Sequence, residues 1–291
     1  MYSSIAKNKR NTVVIFTAFV AIISAIGFFF SYLYDSPSIF FWCFFGALLY
    51  AGVEYALASK IALAMNGAVE VKRAQAPEFY AAVEAISMTA GLPMPKIYVI
   101  EDSAPNAFAV GTSPQNSVVC ATTGLLAIMN KAELEGVVAH EISHIKNYDI
   151  RVSMAAVALT AAIGFLADIA WRILFWRDDD DRDFNPVAMI IGLILVVISP
   201  ILSMIIRMAI SREREYLADA SAVMLTRYPE GLISALQKLQ DNAQPLRRQA
   251  STTANLFITN PLKANFLNQL FATHPPLEKR IQRLKENSEK F

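Results

Sequence analysis

The sequence predicts an α+β fold, mostly helical, in which four membrane-spanning helices carry a soluble domain split in two along the chain. Three observations lead there. Four long apolar runs punctuate the 291 residues, each near the ~20 residues an α-helix needs to cross a bilayer. Short runs rich in β-branched residues fall between the second run and the third. A separate stretch of helical periodicity follows them and holds two of the chain's 3 histidines.

Composition agrees. The chain is 55% hydrophobic with a mean hydropathy of +0.38, too apolar for an ordinary soluble domain. A net charge of +1 and the lack of any basic stripe argue against a nucleic-acid binder. Cys43 lies in an apolar run and Cys120 in a predicted strand, as expected of buried thiols rather than a disulfide. Neither has another Cys or His at ligand spacing, so a metal site here must draw on His and carboxylate.

Thr12 to Tyr34 carries no charge, is too long for a signal-peptide core and precedes no clear cleavage site, so it reads as a retained anchor. A second span runs from Ser38 to about Leu57. Glu54, near its inner end, either snorkels or faces the bundle, or lies on a substrate path. The third covers Val152 to Trp171, with Asp168 near the far end and Arg172 one turn on as its partner. The fourth runs from Phe184 to Ile206 and is kinked at Pro200. Lys7, Lys9 and Arg10 precede the first span and place the N-terminus in the cytoplasm. Lys60, Lys72 and Arg73 follow the second, and Arg207, Arg212 and Arg214 follow the fourth. The acidic loop Asp178 to Asp181 is flanked by Arg177 and Arg182, where the charge rule is obeyed imperfectly. The expected organisation is a transmembrane hairpin over 1–65, a first soluble part over 66–150, a second hairpin over 151–206 and a second soluble part over 207–291, both soluble parts cytoplasmic.

Within the first soluble part, Pro77 opens a helix that Gly91 ends. Strands are expected over 97–100, over 106–110 with Gly111 closing it, and over 117–121. In the second part the periodicity is weak from Ala243 to Thr273. Pro275-Pro276-Leu277 opens a last helix, rich in Lys and Arg and solvated on one face.

The helix at its centre is the most informative element. Asn130 is placed as its N-cap with Glu133 reaching back as a capping-box acid. Leu134, Val137, Val138, Ile142 and Ile145 form its apolar face. On a helix, positions i and i+4 lie one above the other. His140 and His144 therefore project the same way and can grip one Zn²⁺, with Glu141 between them to work on water. Two ordinary helix histidines are the plain alternative. Topology narrows the search for a third ligand. The second hairpin leaves the bilayer side a few residues after His144 and returns a few residues before Glu213 and Glu215. Those two acids lie about 200° apart around a helix, so only one can face the metal. Asp149 either orients His144 or makes a local turn.

Here the chain resembles the HtpX-type membrane zinc endopeptidases. The resemblance covers the four spans, His140-Glu141-Ile142-Ser143-His144, the Glu-x-x-Ala-Asp pattern at Glu215 to Asp219, the Asn106-Ala107-Phe108 strand and His274-Pro275-Pro276. It implies a zincin-like cytoplasmic metalloprotease domain with one Zn²⁺ per chain. It selects Glu215 as third ligand and leaves Glu213 as a surface charge. Asp219 would then be the acceptor behind a ligand imidazole, such as that of His140. Glu141 would be the catalytic base. The resemblance gives His274 the stabilisation of the tetrahedral intermediate, against the alternative of a surface histidine. It also places Asn106, Ala107 and Phe108 on the substrate side, where an edge strand can pair with an extended peptide; plain sheet packing is the alternative. It implies a bacterial inner membrane, membrane-protein substrates and a part in quality control.

Three rivals remain. A zinc transporter or an intramembrane protease would carry its ligands inside the spans. Here no span offers a His, and Glu133, Glu135, Lys146, Asn147 and Asp149 flank the motif and hold it outside the hydrocarbon. A catalytically inactive membrane scaffold is separated only by experiment.

Overall fold

The computed structural model describes residues 2–175, 212–248, 250, 252–262 and 275–287. The expected fourth span and His274 lie outside these residues. The described part is mostly helical α+β.

α1 (Tyr2–Leu33) and α2 (Pro37–Met65) form a helical hairpin. Among the described residues, they are two helices long and apolar enough to cross a membrane, and only 11% of each apolar window is buried within the protein. Phe28, Phe29, Trp42, Phe45 and Leu49 point outward, an arrangement costly in water and favourable in hydrocarbon. The two helices approach closely at Gly27, where a Cβ would lie 2.5 Å from that of Cys43. Packing of this kind, small residue against small, holds helices together in lipid.

A four-stranded sheet follows, β1 (Ala68–Glu70), β2 (Lys96–Ile100), β3 (Ala107–Ser113) and β4 (Asn116–Thr122), in the order β1-β2-β4-β3. β2 and β4 run parallel and the other pairs antiparallel. β3 is thus an edge strand. Gly111 does not close it, as the sequence reading expects; the strand continues to Ser113 through an irregularity in the pairing. A Cβ at Gly111 would lie 2.5 Å from the Asn116 carbonyl oxygen, so glycine here allows close approach rather than termination.

α3 (Pro77–Ala90) ends at Gly91 in the left-handed conformation, as its sequence predicts. After the short α4 (Thr123–Ile128) comes α5 (Lys131–Lys146), the central helix. Its capping box is formed: Asn130 Oδ1 accepts from Glu133 N at 3.0 Å, and the Asn130 backbone N–H donates to Glu133 Oε2 at 2.8 Å. Glu133 also accepts from Ser234 and Lys238 on α8 (Pro229–Asp241). α5 and α8 meet where Gly136 faces Gly231 and Leu232 without a side chain between.

α6 (Asp149–Phe175) covers the residues read as a third span. Its first turns are not open to lipid: Met154, Val157 and Ala158 pack with Ala58, Ala62 and Leu63 of α2 and with Phe108 and Val110 of β3. Further along, Leu159, Ala162 and Ile163 join Phe19, Ala47 and Ala51. α6 thus packs against α1, α2 and β3, and α2 also touches the sheet directly. Among the described residues there are also α7 (Arg212–Thr226), α9 (Leu277–Asn287) and a 3-10 turn at Ala254–Leu256. α9 is amphipathic as predicted, but its inner face carries the fully buried Arg280 beside Ile281 and Leu284.

Candidate metal centre

α5 and α7 lie side by side and bring together the residues that the sequence singles out. His140 is 1% exposed and Glu215 4%. His140 Nε2 and His144 Nε2 are 3.1 Å apart. Glu215 Oε2 lies 3.7 Å from the first and Oε1 3.6 Å from the second. Ligands about 2.0–2.1 Å from a tetrahedral Zn²⁺ stand roughly 3.3 Å from one another. The three side chains therefore fit a metal ion without rearrangement beyond a few tenths of an ångström. Among the described residues they form a His-His-Glu group whose ligand atoms all lie within 4.8 Å of each other. Glu213 is not part of it.

Both imidazoles are held in the same way. His140 Nδ1 is 3.0 Å from Asp219 Oδ1, and His144 Nδ1 is 3.0 Å from Asp149 Oδ2. A carboxylate behind Nδ1 fixes the tautomer that leaves Nε2 as a lone-pair donor toward the centre. Asp149 faces His144.

Two cations complete the site, and sequence reasoning missed both. Arg280, 0% exposed, donates to Asp219 through Nη2 at 2.6 Å and Nε at 2.9 Å, a two-pronged grip suited to a guanidinium. Its Nη1 lies 3.7 Å from Glu215 Oε2. The missed signal is helical spacing, since Leu277, Arg280, Ile281 and Leu284 fall on one face of α9. Arg214, also buried, faces Asp149 and Glu215.

These neighbours set the protonation states. Burial lowers the His140 pKa and the adjacent Arg280 charge lowers it further, to about 4, so this imidazole is neutral at pH 7. Burial works the same way on His144, but the hydrogen bond to Asp149 and the charges of Glu215 and Asp149 outweigh it and raise the pKa to about 9. Burial opposes ionisation of Asp219, and Arg280 overrides it, bringing the pKa down to about 2.

A small cavity opens onto the centre, lined among others by Glu141, His144, Glu215, Ala109, Asn255 and Leu256. Glu141 sits on the same helix as the two histidines and is 1% exposed. The Asn106-Ala107-Phe108 segment, expected on the substrate side or in plain sheet packing, is not among the residues that line this cavity. Asn106 Nδ2 donates to the Thr259 carbonyl, and its Oδ1 accepts from Thr259 N. The Ala107 carbonyl accepts from Ile258 N. Phe108 is buried edge-on to Phe257 at 4.8 Å. The physical reason is that the 256–259 segment lies along this end of the edge strand. Ala109, further along β3, is the residue that lines the cavity.

A His-Glu-x-x-His helix, an acid on a facing helix and a cavity at an edge strand define the class as metallopeptidase. Comparison with known proteins places the chain within that class. Residues 73–288 match the profile of peptidase family M48. Proteins named protease HtpX homolog are similar over their full length: that of Tropheryma whipplei strain Twist is 44% identical, covering 100% of both chains. That of Streptococcus gordonii strain Challis is 42% identical, over 98% of this chain and 99% of the other. The crystal structure of S. mikatae Ste24p shares the fold, with a TM-score of 0.53 at 22% identity, over 91% of this chain and 63% of that one. The chain belongs to peptidase family M48 and is an HtpX-type membrane metalloprotease.

Proposed function

We propose that the chain is a zinc-dependent endopeptidase of a bacterial inner membrane that cuts membrane proteins on the cytoplasmic side, as part of protein quality control. The observation that carries the zinc reading is the triangle of His140, His144 and Glu215 atoms, 3.1 to 3.7 Å on a side. Two nitrogens and one carboxylate are the donor set of catalytic zinc, which keeps one position open. When bound there, zinc supplies Lewis acidity to a substrate carbonyl and acidifies water.

The chain's own residues do the rest. Glu141 takes a proton from the attacking water and delivers it to the leaving amine. Asp219 and Asp149 hold His140 and His144 in their ligating tautomers, and Arg280 keeps Asp219 ionised. His274 donates to the oxyanion as the peptide carbonyl is attacked. The substrate backbone lies beside Ala109 on the edge strand. Residues 151–206 form a second membrane hairpin that returns α7 beside α5, and both termini are cytoplasmic. Because the α5–α6 corner leads straight into this hairpin, the site opens close to the bilayer surface, where loops of membrane proteins lie within reach.

The test is cleavage of a membrane-protein substrate by the purified full-length protein, with and without chelator, beside Glu141→Gln. Wild-type cleavage should stop with chelator and return with zinc. Glu141→Gln should retain its metal and lose about 10²- to 10⁴-fold in rate, the range of one acid–base group. Normal cleavage by Glu141→Gln would reject the base, and chelator-insensitive cleavage would reject zinc.

A further inference from the structure

We infer that Asn8, on the first membrane helix, is a positioning residue for the His144 imidazole. The inference rests on the zinc reading above and adds to it a side chain 141 positions from its partner.

Asn8 is 4% exposed, while Lys7, Lys9 and Arg10 around it face outward. A polar side chain buried in that setting needs partners. It has two: Nδ2 donates to Asp149 Oδ1 at 2.6 Å and to the Asn147 carbonyl at 3.0 Å. Both amide hydrogens are thereby used. Asn147 is the C-cap of α5 and Asp149 the first residue of α6. Between them Tyr148 sits at φ 59°, a left-handed conformation unfavourable for a tyrosine. Asn8 therefore straddles the tight corner where the metal helix turns toward the bilayer. One further contact seats α1 there: the Lys9 ammonium lies 4.6 Å from the Tyr148 ring centroid. Within α1, the buried Thr12 hydroxyl donates to the Asn8 carbonyl at 3.0 Å.

The consequence lies in how Asp149 divides its oxygens. Oδ1 accepts from Asn8, and Oδ2 faces His144 Nδ1 at 3.0 Å. A carboxylate tethered by one oxygen cannot swing without breaking that bond, so the other keeps its bearing on the imidazole. His144 Nε2 is thereby aimed at the position it shares with His140 Nε2 and Glu215. Arg214 faces Asp149 from the α7 side and adds charge; Asn8 adds direction. Loss of Asn8 leaves Asp149 Oδ1 and the Asn147 carbonyl in a buried place without this donor, and the corner loosens. The seating of a membrane helix thus sets how firmly one ligand is aimed.

The experiment uses the full-length protein in detergent and compares Asn8→Ala, Asn8→Leu and Phe19→Ala. Phe19 is buried where α1, α2 and α6 meet and is outside the corner. Zinc affinity is read by competition with a chromophoric chelator, zinc release by stopped flow, cleavage by separate kcat and KM, and folding by thermal melting. Both Asn8 variants should hold zinc about tenfold more weakly, the lower end for residues behind a metal ligand. At saturating zinc their kcat should fall and their KM stay. Leucine keeps the asparagine's branching and at least fills its space while removing the donor, so a space-filling role predicts recovery in Asn8→Leu and positioning predicts none. Phe19→Ala should melt lower with wild-type zinc affinity. Wild-type zinc affinity and release in both Asn8 variants, or equal zinc loss in Phe19→Ala, overturns the inference alone. Zinc binding by the parent protein that is unchanged by His144→Ala overturns the zinc reading and the inference with it.

Discussion

Replacing Arg280 by methionine removes a cation and keeps most of the side chain's length. Arg280 is 0% exposed and Asp219 2%, and they are joined at 2.6 and 2.9 Å. Breaking a buried ion pair by deleting one partner costs about 3–5 kcal/mol, because the remaining charge stays in a site that cannot solvate it. Asp219 keeps His140 Nδ1 as a neighbour, but a neutral imidazole does not replace a guanidinium. For a folded unit of 150–250 residues, 1 kcal/mol shifts the melting temperature by about 2–4 °C, so the loss should be roughly 6–20 °C. Metal affinity should fall as well, by about tenfold, because the acceptor that orients His140 is no longer held. The double variant Arg280→Met with Asp219→Asn removes both charges and should melt above Arg280→Met alone, since no unpaired charge stays buried. Thermal melting by circular dichroism and metal retention on gel filtration read the two effects. An Arg280→Met protein that melts with wild type and keeps its metal would refute the reasoning.

Three further outcomes follow from the same geometry. His144, raised to about 9, must shed a proton to ligate a metal, so zinc uptake below that pH should release about one proton and affinity should weaken about tenfold per pH unit; calorimetry in buffers of differing ionisation enthalpy counts it. In the chelator-stripped protein the same raised pKa stabilises the fold fully below the unfolded value of about 6.5 and less as pH climbs to about 9. Melting temperature should decline across that window, in which His140, at about 4, no longer titrates; a flat profile would discard the Asp149–His144 pair as its cause. Gly136→Ala should cost about 1–3 kcal/mol by overpacking, because the new Cβ would lie 2.8 Å from the Leu232 backbone nitrogen; an unchanged melting temperature would show that α5 and α8 can part freely.

Much of the fold is legible along the chain because its causes are local. α5 is written in its own residues: the Asn130–Glu133 cap, the apolar face and the two histidines one turn apart all act within sixteen positions. The N-terminal helical hairpin is equally plain, since two long apolar runs parted by a short turn mark it. Other features have local traces whose meaning is not local. Arg280 stands on the apolar stripe of α9 among Leu277, Ile281 and Leu284, and Asn8 and Thr12 form a polar pair just before an uncharged run. Each trace marks a buried polar group, and neither names its partner.

The sequence by itself determined that two imidazoles point the same way, that an acid is needed from elsewhere, and that the chain meets a membrane. Helical period and hydropathy suffice for that. Only the tertiary structure decided which groups stand behind those imidazoles: Asp219 held by Arg280, and Asp149 tethered by Asn8. It also decided that Asn106 faces Thr259 rather than the cavity. Hydrogen bonds and ion pairs fall away within a few ångströms, so partners separated by sixty to a hundred and forty residues are fixed only once helices and sheet have packed.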